Sequence, residues 1–396
     1  MLNDPSKAAF GVDMAYKTFD AAFGLQDVEG NFRLGDKTKQ FQNTPVGVRK
    51  FLKWCRQQLK KVKLTKAQII VEATGVYHEL LVTKAYGADA SLSVCLVGSK
   101  NARFFRLSKN KYSKTDRLDA RSLSEFGCER KHKPWKPGSK NLLEIKALLR
   151  YRASLITKKN METNQQHAHN VAVVSNKVLN SAVKANLKHL SKQIVKIEAE
   201  VKKLWREDED LYKRTHRIAE TMPGVRWLTV LIVITETNGF SEITSGKQLA
   251  SYAGLDVIEN QSGNTAGKTR ISKKGNTHLR KSLYMSATCL NRKSIRGEIA
   301  AFGRRIAKRN PKCKKKATVA MMRKQLLLIR TLYLSGEDYD PKYEANKKVS
   351  SNQERQEDDS RCSQQQEEKK GSPSKSVPRL HEVDHFKASP QETKLE

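Results

Sequence analysis

The sequence predicts an α/β protein with a mixed sheet flanked by helices, then a long helical arm and a mostly helical C-terminal region. Three observations predict it. The first 130 residues alternate short β-branched or apolar runs with amphipathic stretches. Ser139 to Met222 contains neither glycine nor proline, which favours long uninterrupted helices. Within it Leu187, Leu190, Ile194, Ile197, Val201, Leu204 and Leu211 recur at steps of three and four, with one place skipped at Asp208.

Ala8–Asp13 reads as a buried strand, and Thr18–Leu25 and Asn31–Leu34 read as two more, separated by turn residues. Thr44-Pro45 supplies an N-cap and a first-turn proline for an amphipathic helix over 45–62. Gln68–Glu72 is a β-branched strand ending on an acid; Tyr77–Tyr86 reads as helix, Ser93–Val97 as strand and Thr115–Gly127 as helix. The heptad stripe, with a second begun at Leu142, Ile145, Leu149 and Ile156, predicts a helical coiled-coil arm. Two antiparallel helices of one chain and a seam for a second protomer satisfy this pattern equally. Thr221-Met-Pro-Gly-Val225 breaks the arm, and a turn of this kind between helices has the form of a helix-hairpin-helix. Helices are expected for Trp227–Thr235 and again from about Leu283 to Leu334. The expected organisation is thus 1–138, an arm 139–218, a C-terminal domain 219–335, and a disordered tail 336–396 rich in Gln, Ser, Lys and Glu.

The formal charge is +35 over 396 residues, and residues 341–396 carry eleven Lys/Arg against eleven Asp/Glu. The whole excess therefore sits in the first 340 residues, a field that recruits nucleic acid by default. Six cysteines show no zinc-type spacing, so a zinc site or disulfide framework is not expected. No signal-peptide core and no apolar run long enough to span a bilayer is present, so a cytoplasmic, nucleoid-associated protein without membrane contact is expected.

Two constellations could carry chemistry. Lys114-Thr-Asp-Arg-Leu-Asp-Ala-Arg121 sets Asp116 and Asp119 on one helix face. Their repulsion is offset by a divalent cation or, more weakly, by Arg117 and Arg121; alone, the pair also reads as a solvated acidic face. Asp13 and Glu72 end predicted strands, and strand ends on one sheet edge converge. Four carboxylates so placed suit Mg²⁺ or Mn²⁺ and a phosphodiester.

The second constellation runs from Asn260 to Arg280. It sets Ser262 beside Gly263, with glycines at 267 and 275 and the cations Lys268, Arg270, Lys273, Lys274 and Arg280. Such a setting suits phosphate, and cations near a serine oxygen could help it attack phosphorus. On chemistry alone a basic DNA-contacting loop is the preferred reading, because no histidine base lies near Ser262 in sequence. His278 is close but suits a structural role equally. Ser272 and Ser282 are weaker nucleophile candidates, Ser272 reading as a phosphate contact, and Tyr112 reads as structural.

Together these residues resemble the transposases of the insertion-sequence one-ten family, relatives of the Piv-type invertases. The resemblance rests on Gly11-Val-Asp13 with Lys17-Thr-Phe-Asp20, Glu72-Ala-Thr-Gly-Val-Tyr77 and Lys114–Arg121. It continues through Met222-Pro-Gly-Val225, Ala253-Gly-Leu255, Gln261-Ser-Gly263, Arg270-Ile-Ser-Lys-Lys-Gly-Asn276 and Leu279-Arg280. Val257 stands where that family usually has proline, and Ala15 where serine is common. The resemblance implies a RuvC-like (RNase H-like) domain carrying Asp13, Glu72, Asp116 and Asp119 as Mg²⁺ ligands, and a C-terminal domain with Ser262 as nucleophile. It further implies DNA strand exchange through a phosphoserine, a composite site built from two protomers of a dimer or tetramer, and a structured guide RNA. The alternatives are a RuvC-like nuclease without a covalent step, and a nucleic-acid-binding protein that has lost catalysis.

Overall fold

A computed structural model describes residues 5–342, apart from 74, 174–175, 260, 263–264, 268, 293–294 and 296. Most of the expected tail therefore lies outside the described residues.

Strands β1 (Pro5–Met14), β2 (Thr18–Asp27), β3 (Phe32–Leu34), β4 (Lys39–Gln42), β5 (Ala67–Glu72) and β6 (Leu92–Val97) form one mixed sheet. The order is β3-β2-β1-β5-β6, with β4 also paired to β2. β1 runs antiparallel to β2 and parallel to β5, and β5 runs parallel to β6. This mixed sheet with helices on its faces is the α/β arrangement that the sequence predicts.

Side chains alternate along a strand, and β1 shows what that decides. Ala8, Phe10, Val12 and Met14 point into a core shared with helix α1 (Pro45–Lys61), where Phe10 stacks on Phe23 at 4.7 Å and meets Trp54 edge-on at 5.5 Å. Ala9, Gly11 and Asp13 take the other face, covered by helix α4 (Asp116–Glu129), whose Leu123 and Phe126 pack with Ile70, Cys95 and Phe105. The expected N-cap of α1 is present: Thr44 Oγ1 accepts from the Gly47 amide at 3.1 Å, with Pro45 in the first turn.

Helix α2 (Glu79–Ala85) is shorter than the expected 77–86. Two elements were not expected from sequence. β4 is a polar edge strand in which only Phe41 reaches the core, and α3 (Ser99–Ser108) buries only Phe105. Neither carries enough apolar periodicity to announce itself.

The arm region consists of α5 (Lys140–Val171), α6 (Lys177–Glu207) and α7 (Glu209–Thr221). α5 and α6 pack on each other, and the skipped heptad place has a physical cause. At Asp208 the chain leaves helical geometry, and the Asp208 carboxylate accepts from Leu211 N at 3.1 Å to cap α7. Leu142, Ile145, Leu149, Val201, Trp205 and Leu211 join a core with α8 (Trp227–Glu236), α9 (Gly246–Ala253), α10 (Thr277–Leu290), α11 (Glu298–Arg309) and α12 (Lys315–Ser335). Between α9 and α10 lie four two-residue strands, β7 (Val257–Ile258), β8 (Gln261–Ser262), β9 (Thr265–Ala266) and β10 (Arg270–Ile271). The turn between α7 and α8 is anchored by Ser286 Oγ, which donates to Gly224 O at 2.6 Å. No helix among the described residues is long and apolar enough to cross a membrane.

Candidate active site

Backbone register alone brings two of the four predicted acids together. Gly11 pairs with Ile70 and Val12 with Val71 in the parallel β1–β5 ladder, so the next step sets Asp13 level with Glu72. Both then project from the face that α4 covers. On its other side Asp13 pairs with Asp20 of β2, a nearly fully buried carboxylate that accepts from Gln40 Nε2 at 3.2 Å.

Helix α4 supplies the other two. Thr115 Oγ1 caps it, accepting from Leu118 N at 3.3 Å, so Asp116 and Asp119 fall in its first turn. Free amide groups and the helix dipole favour negative charge at this end.

The electrostatics show that the four acids share one field. Burial pushes the Asp13 carboxyl up from 3.8 to about 7, and the neighbouring charges of Asp119, Asp116 and Glu72 push the same way, against Lys114. Asp119 is also raised, by burial first and by Glu72 and Asp116, while Arg106 and Lys114 oppose this. Arg106 Nη1 lies 3.5 Å from Asp119 Oδ1 and donates to Ser113 O at 2.9 Å. Glu72, Ser99, Arg103, Arg106, Lys114 and Asp119 line a cavity of about 160 Å³. Arg103 and Arg106 were missed as site residues because α3 was not assigned, whereas Lys114 opens the Lys114–Arg121 motif and was not given a role there.

Among the described residues no three acids, histidines or cysteines stand in ready-made ligand positions around one point. With Asp119 turned towards Arg106, the four carboxylates share a field without a common centre. Their chemistry nevertheless fits a divalent cation. The donors are hard oxygens, and burial together with the acidic neighbours raises the Asp13 carboxyl further than Lys114 offsets, a load that a divalent cation would relieve.

The remaining predicted cations differ in their surroundings. Arg117 Nε sits 4.0 Å from Asp20 Oδ1 on a largely exposed side chain, and Arg121 Nε donates to Thr38 Oγ1 at 3.1 Å. Arg270, Lys273 and Lys274 are exposed. Arg280 turns inward instead, donating to Ala253 O at 2.9 Å. Lys268 and the side chain of Ser262 lie outside the described residues; the Ser262 backbone pairs with Thr265 in the β8–β9 ribbon. Ser272, expected to touch phosphate, donates to the Asp256 carboxylate instead. Ser282 Oγ is buried without a hydrogen-bond partner. Tyr112, read as structural, is 73% exposed. His278 is half-buried, and burial lowers its pKa.

The ribbon has a polar anchor that sequence reasoning also missed. A Cβ on Gly275 would lie 2.4 Å from Gly254 N, so the two ends of the 254–275 segment close on each other. Asn276 caps α10 with its Oδ1 and donates from Nδ2 to Glu236 at 2.7 Å. Arg150 of α5 grips the same carboxylate at 2.8 and 2.9 Å. Burial works against the charge on Glu236, but these hydrogen bonds and the cations Arg150 and Lys146 outweigh it and hold the pKa below the usual value.

The chain is similar to known proteins along much of its length. Residues 10–171 match a family model described as the transposase of the DEDD IS110 class, and residues 216–302 match the model "Transposase IS116/IS110/IS902 family". The pilin gene-inverting protein of Moraxella bovis is 27% identical over 340 residues, covering 85% of this chain and 99% of the relative. The corresponding protein of Moraxella lacunata shows the same identity and coverage. Among solved structures, Thermus thermophilus RuvC aligns over 32% of this chain and 99% of its own length, at 12% identity and a TM-score of 0.25. The RuvC complex with a Holliday junction aligns at 10% identity over 32% of this chain and 99% of that one, at 0.24. The two family models account for the sheet region with the start of the arm and for the serine-bearing region, in that order, and the chain belongs to the IS110 family of transposases, enzymes of DNA recombination.

Proposed function

We propose that this chain is the recombinase of an insertion sequence, and that Asp13, Glu72, Asp116 and Asp119 hold divalent magnesium or manganese while Ser262 is the nucleophile. The observation that supports this best is the shared field of the four acids, which adds to burial in lifting Asp13 to about 7. Their chain positions span 13 to 119, so a common field is not a by-product of sequence adjacency.

A divalent cation held there supplies Lewis-acid stabilisation of charge on the phosphodiester oxygens. Ser262 Oγ forms a bond to phosphorus as the bond from phosphorus to one sugar oxygen breaks, leaving a phosphoserine and a free sugar hydroxyl. A hydroxyl of the exchanging strand then attacks the same phosphorus and releases the serine. Arg103, Arg106 and Lys114 neutralise the phosphate as it enters. The working division is a catalytic region 1–138, an arm 139–218, a serine-bearing region 219–335 and a tail. Two protomers of a dimer or tetramer build each composite site, and a structured RNA chooses the DNA. The Moraxella relatives, named for inverting a pilin gene, support strand exchange over simple hydrolysis.

Ser262→Ala tests the covalent step. Protein–DNA adducts trapped by denaturation are expected from the wild type and not from the variant, with DNA binding retained. Free nicked products from both proteins would instead assign hydrolysis by metal-activated water.

A further inference from the structure

Two exposed tyrosines stand beside the acids. Tyr16 follows Asp13 by three residues and is 72% exposed; Tyr77 follows Glu72 by five and is 40% exposed. They sit on the loops that leave β1 and β5, and their rings meet edge to face with centroids 5.9 Å apart. An edge-to-face pair leaves a ring face open to solvent. Chain reach limits the Asp13–Tyr16 Cα separation to about 11 Å.

The pair is held in place. Asn43, just before α1, donates from Nδ2 to Ala15 O at 3.2 Å and to Tyr77 O at 3.0 Å. Its backbone amide also donates to Lys17 O at 2.8 Å. One side chain therefore ties the two tyrosine loops to each other and to the start of a buried helix. Two large rings kept in solvent this way are unlike the aromatics of the same sheet, where Phe10, Phe19, Phe23 and Phe51 are fully buried.

We propose that Tyr16 and Tyr77 form a stacking platform for unpaired nucleobases next to the reacting phosphodiester, so that the site takes DNA whose bases have left the duplex there. The inference rests on the phosphodiester reading of the four acids. A phosphate bound among them carries its flanking nucleotides past these loops. A ring face stacks on any base, but bases inside a duplex already stack on each other and offer only their edges. The platform therefore adds affinity to single-stranded or unwound DNA and little to intact duplex. The tyrosines are positioning residues, acting on the nucleotides beside the reacting bond.

The test compares binding of a thirty-nucleotide oligothymidylate and a thirty-base-pair duplex, with Mg²⁺ present. The proteins are wild type, Tyr16→Ala/Tyr77→Ala and Tyr16→Phe/Tyr77→Phe. The alanine pair is expected to bind oligothymidylate about a hundredfold more weakly, roughly tenfold per ring, and duplex less than threefold more weakly. The phenylalanine pair, which keeps the ring faces, is expected to bind like wild type. Photocrosslinking with 5-iododeoxyuridine in the single strand is expected to mark Tyr16 or Tyr77. Equal weakening for both DNAs in the alanine pair, or unchanged binding with crosslinks elsewhere, overturns the platform while leaving the metal site standing. Wild-type protein that binds neither DNA overturns the phosphodiester reading itself, and the platform with it.

Discussion

Gly11 and Ala120 are so close that a Cβ built on Gly11 would lie 2.1 Å from the Ala120 carbonyl oxygen. The same atom would lie 2.2 Å from Ser124 N. These are backbone atoms of α4 and have no flexible end to move away. The missing side chain at Gly11 therefore lets α4 rest on β1, two residues before Asp13 and beneath the turn that carries Asp116 and Asp119.

Gly11→Ala is expected to lift α4 off the sheet and destabilise the protein by roughly 3 kcal/mol. A lowered urea midpoint, together with a lost Asp13 proton affinity near pH 7, would show it. An unchanged midpoint would mean that the close approach does not support the site.

Asp119→Asn and Asp13→Asn are each expected to reduce strand cleavage at least a hundredfold while DNA binding changes less than threefold. Cleavage assays alongside filter binding separate the two effects. A loss confined to affinity would mark these acids as DNA contacts and remove them from the chemistry.

The raised Asp13 gives a pH signature. The native state binds its proton more tightly than the unfolded chain, with a pKa of about 7 against 3.8. Its contribution to stability is therefore full below about 4 and is lost as pH rises through about 7. In metal-free protein, Asp13→Asn is expected to be more stable than wild type at pH 8, with the gap closing towards pH 4. Mg²⁺ must displace that proton, so its affinity is expected to rise with pH up to about 7 and then level off. Thermal melts with and without Mg²⁺ across pH 5 to 8 measure both; a flat profile argues against Asp13 as a ligand.

Arg150→Met leaves the Glu236 carboxylate, 3% exposed, without its bidentate partner. Breaking a buried pair from one side typically costs several kcal/mol, and with Asn276 still donating, a loss of about 3 kcal/mol is expected. Arg150→Met/Glu236→Leu removes both charges and is expected to recover part of it. Urea titration of the three proteins decides whether the pair anchors the ribbon or only decorates it.

Much of this was readable in the chain. Thr44-Pro45 announced α1, the strand runs announced β1, β2, β5 and β6, and Lys114–Arg121 announced a helix with two acids in its first turn. These are local matters, set by capping, by periodicity and by the spacing of charges along a few residues. The skipped heptad place at Asp208 was visible as a gap in a pattern, and the structure shows it to be a helix break with its own cap.

What sequence alone settled was therefore most of the elements of the sheet region, though not β4 or α3, and their charged ends. Tertiary structure decided which ends meet, through a one-step register between β1 and β5 and an overlap-free contact at Gly11. It also revealed Arg106 on an unassigned helix and the Arg150–Glu236–Asn276 junction, whose members are 86 and 40 residues apart. Long-range partners leave no periodic mark, because a buried charge is satisfied by whatever the fold brings within about 3 Å, wherever it lies in the chain.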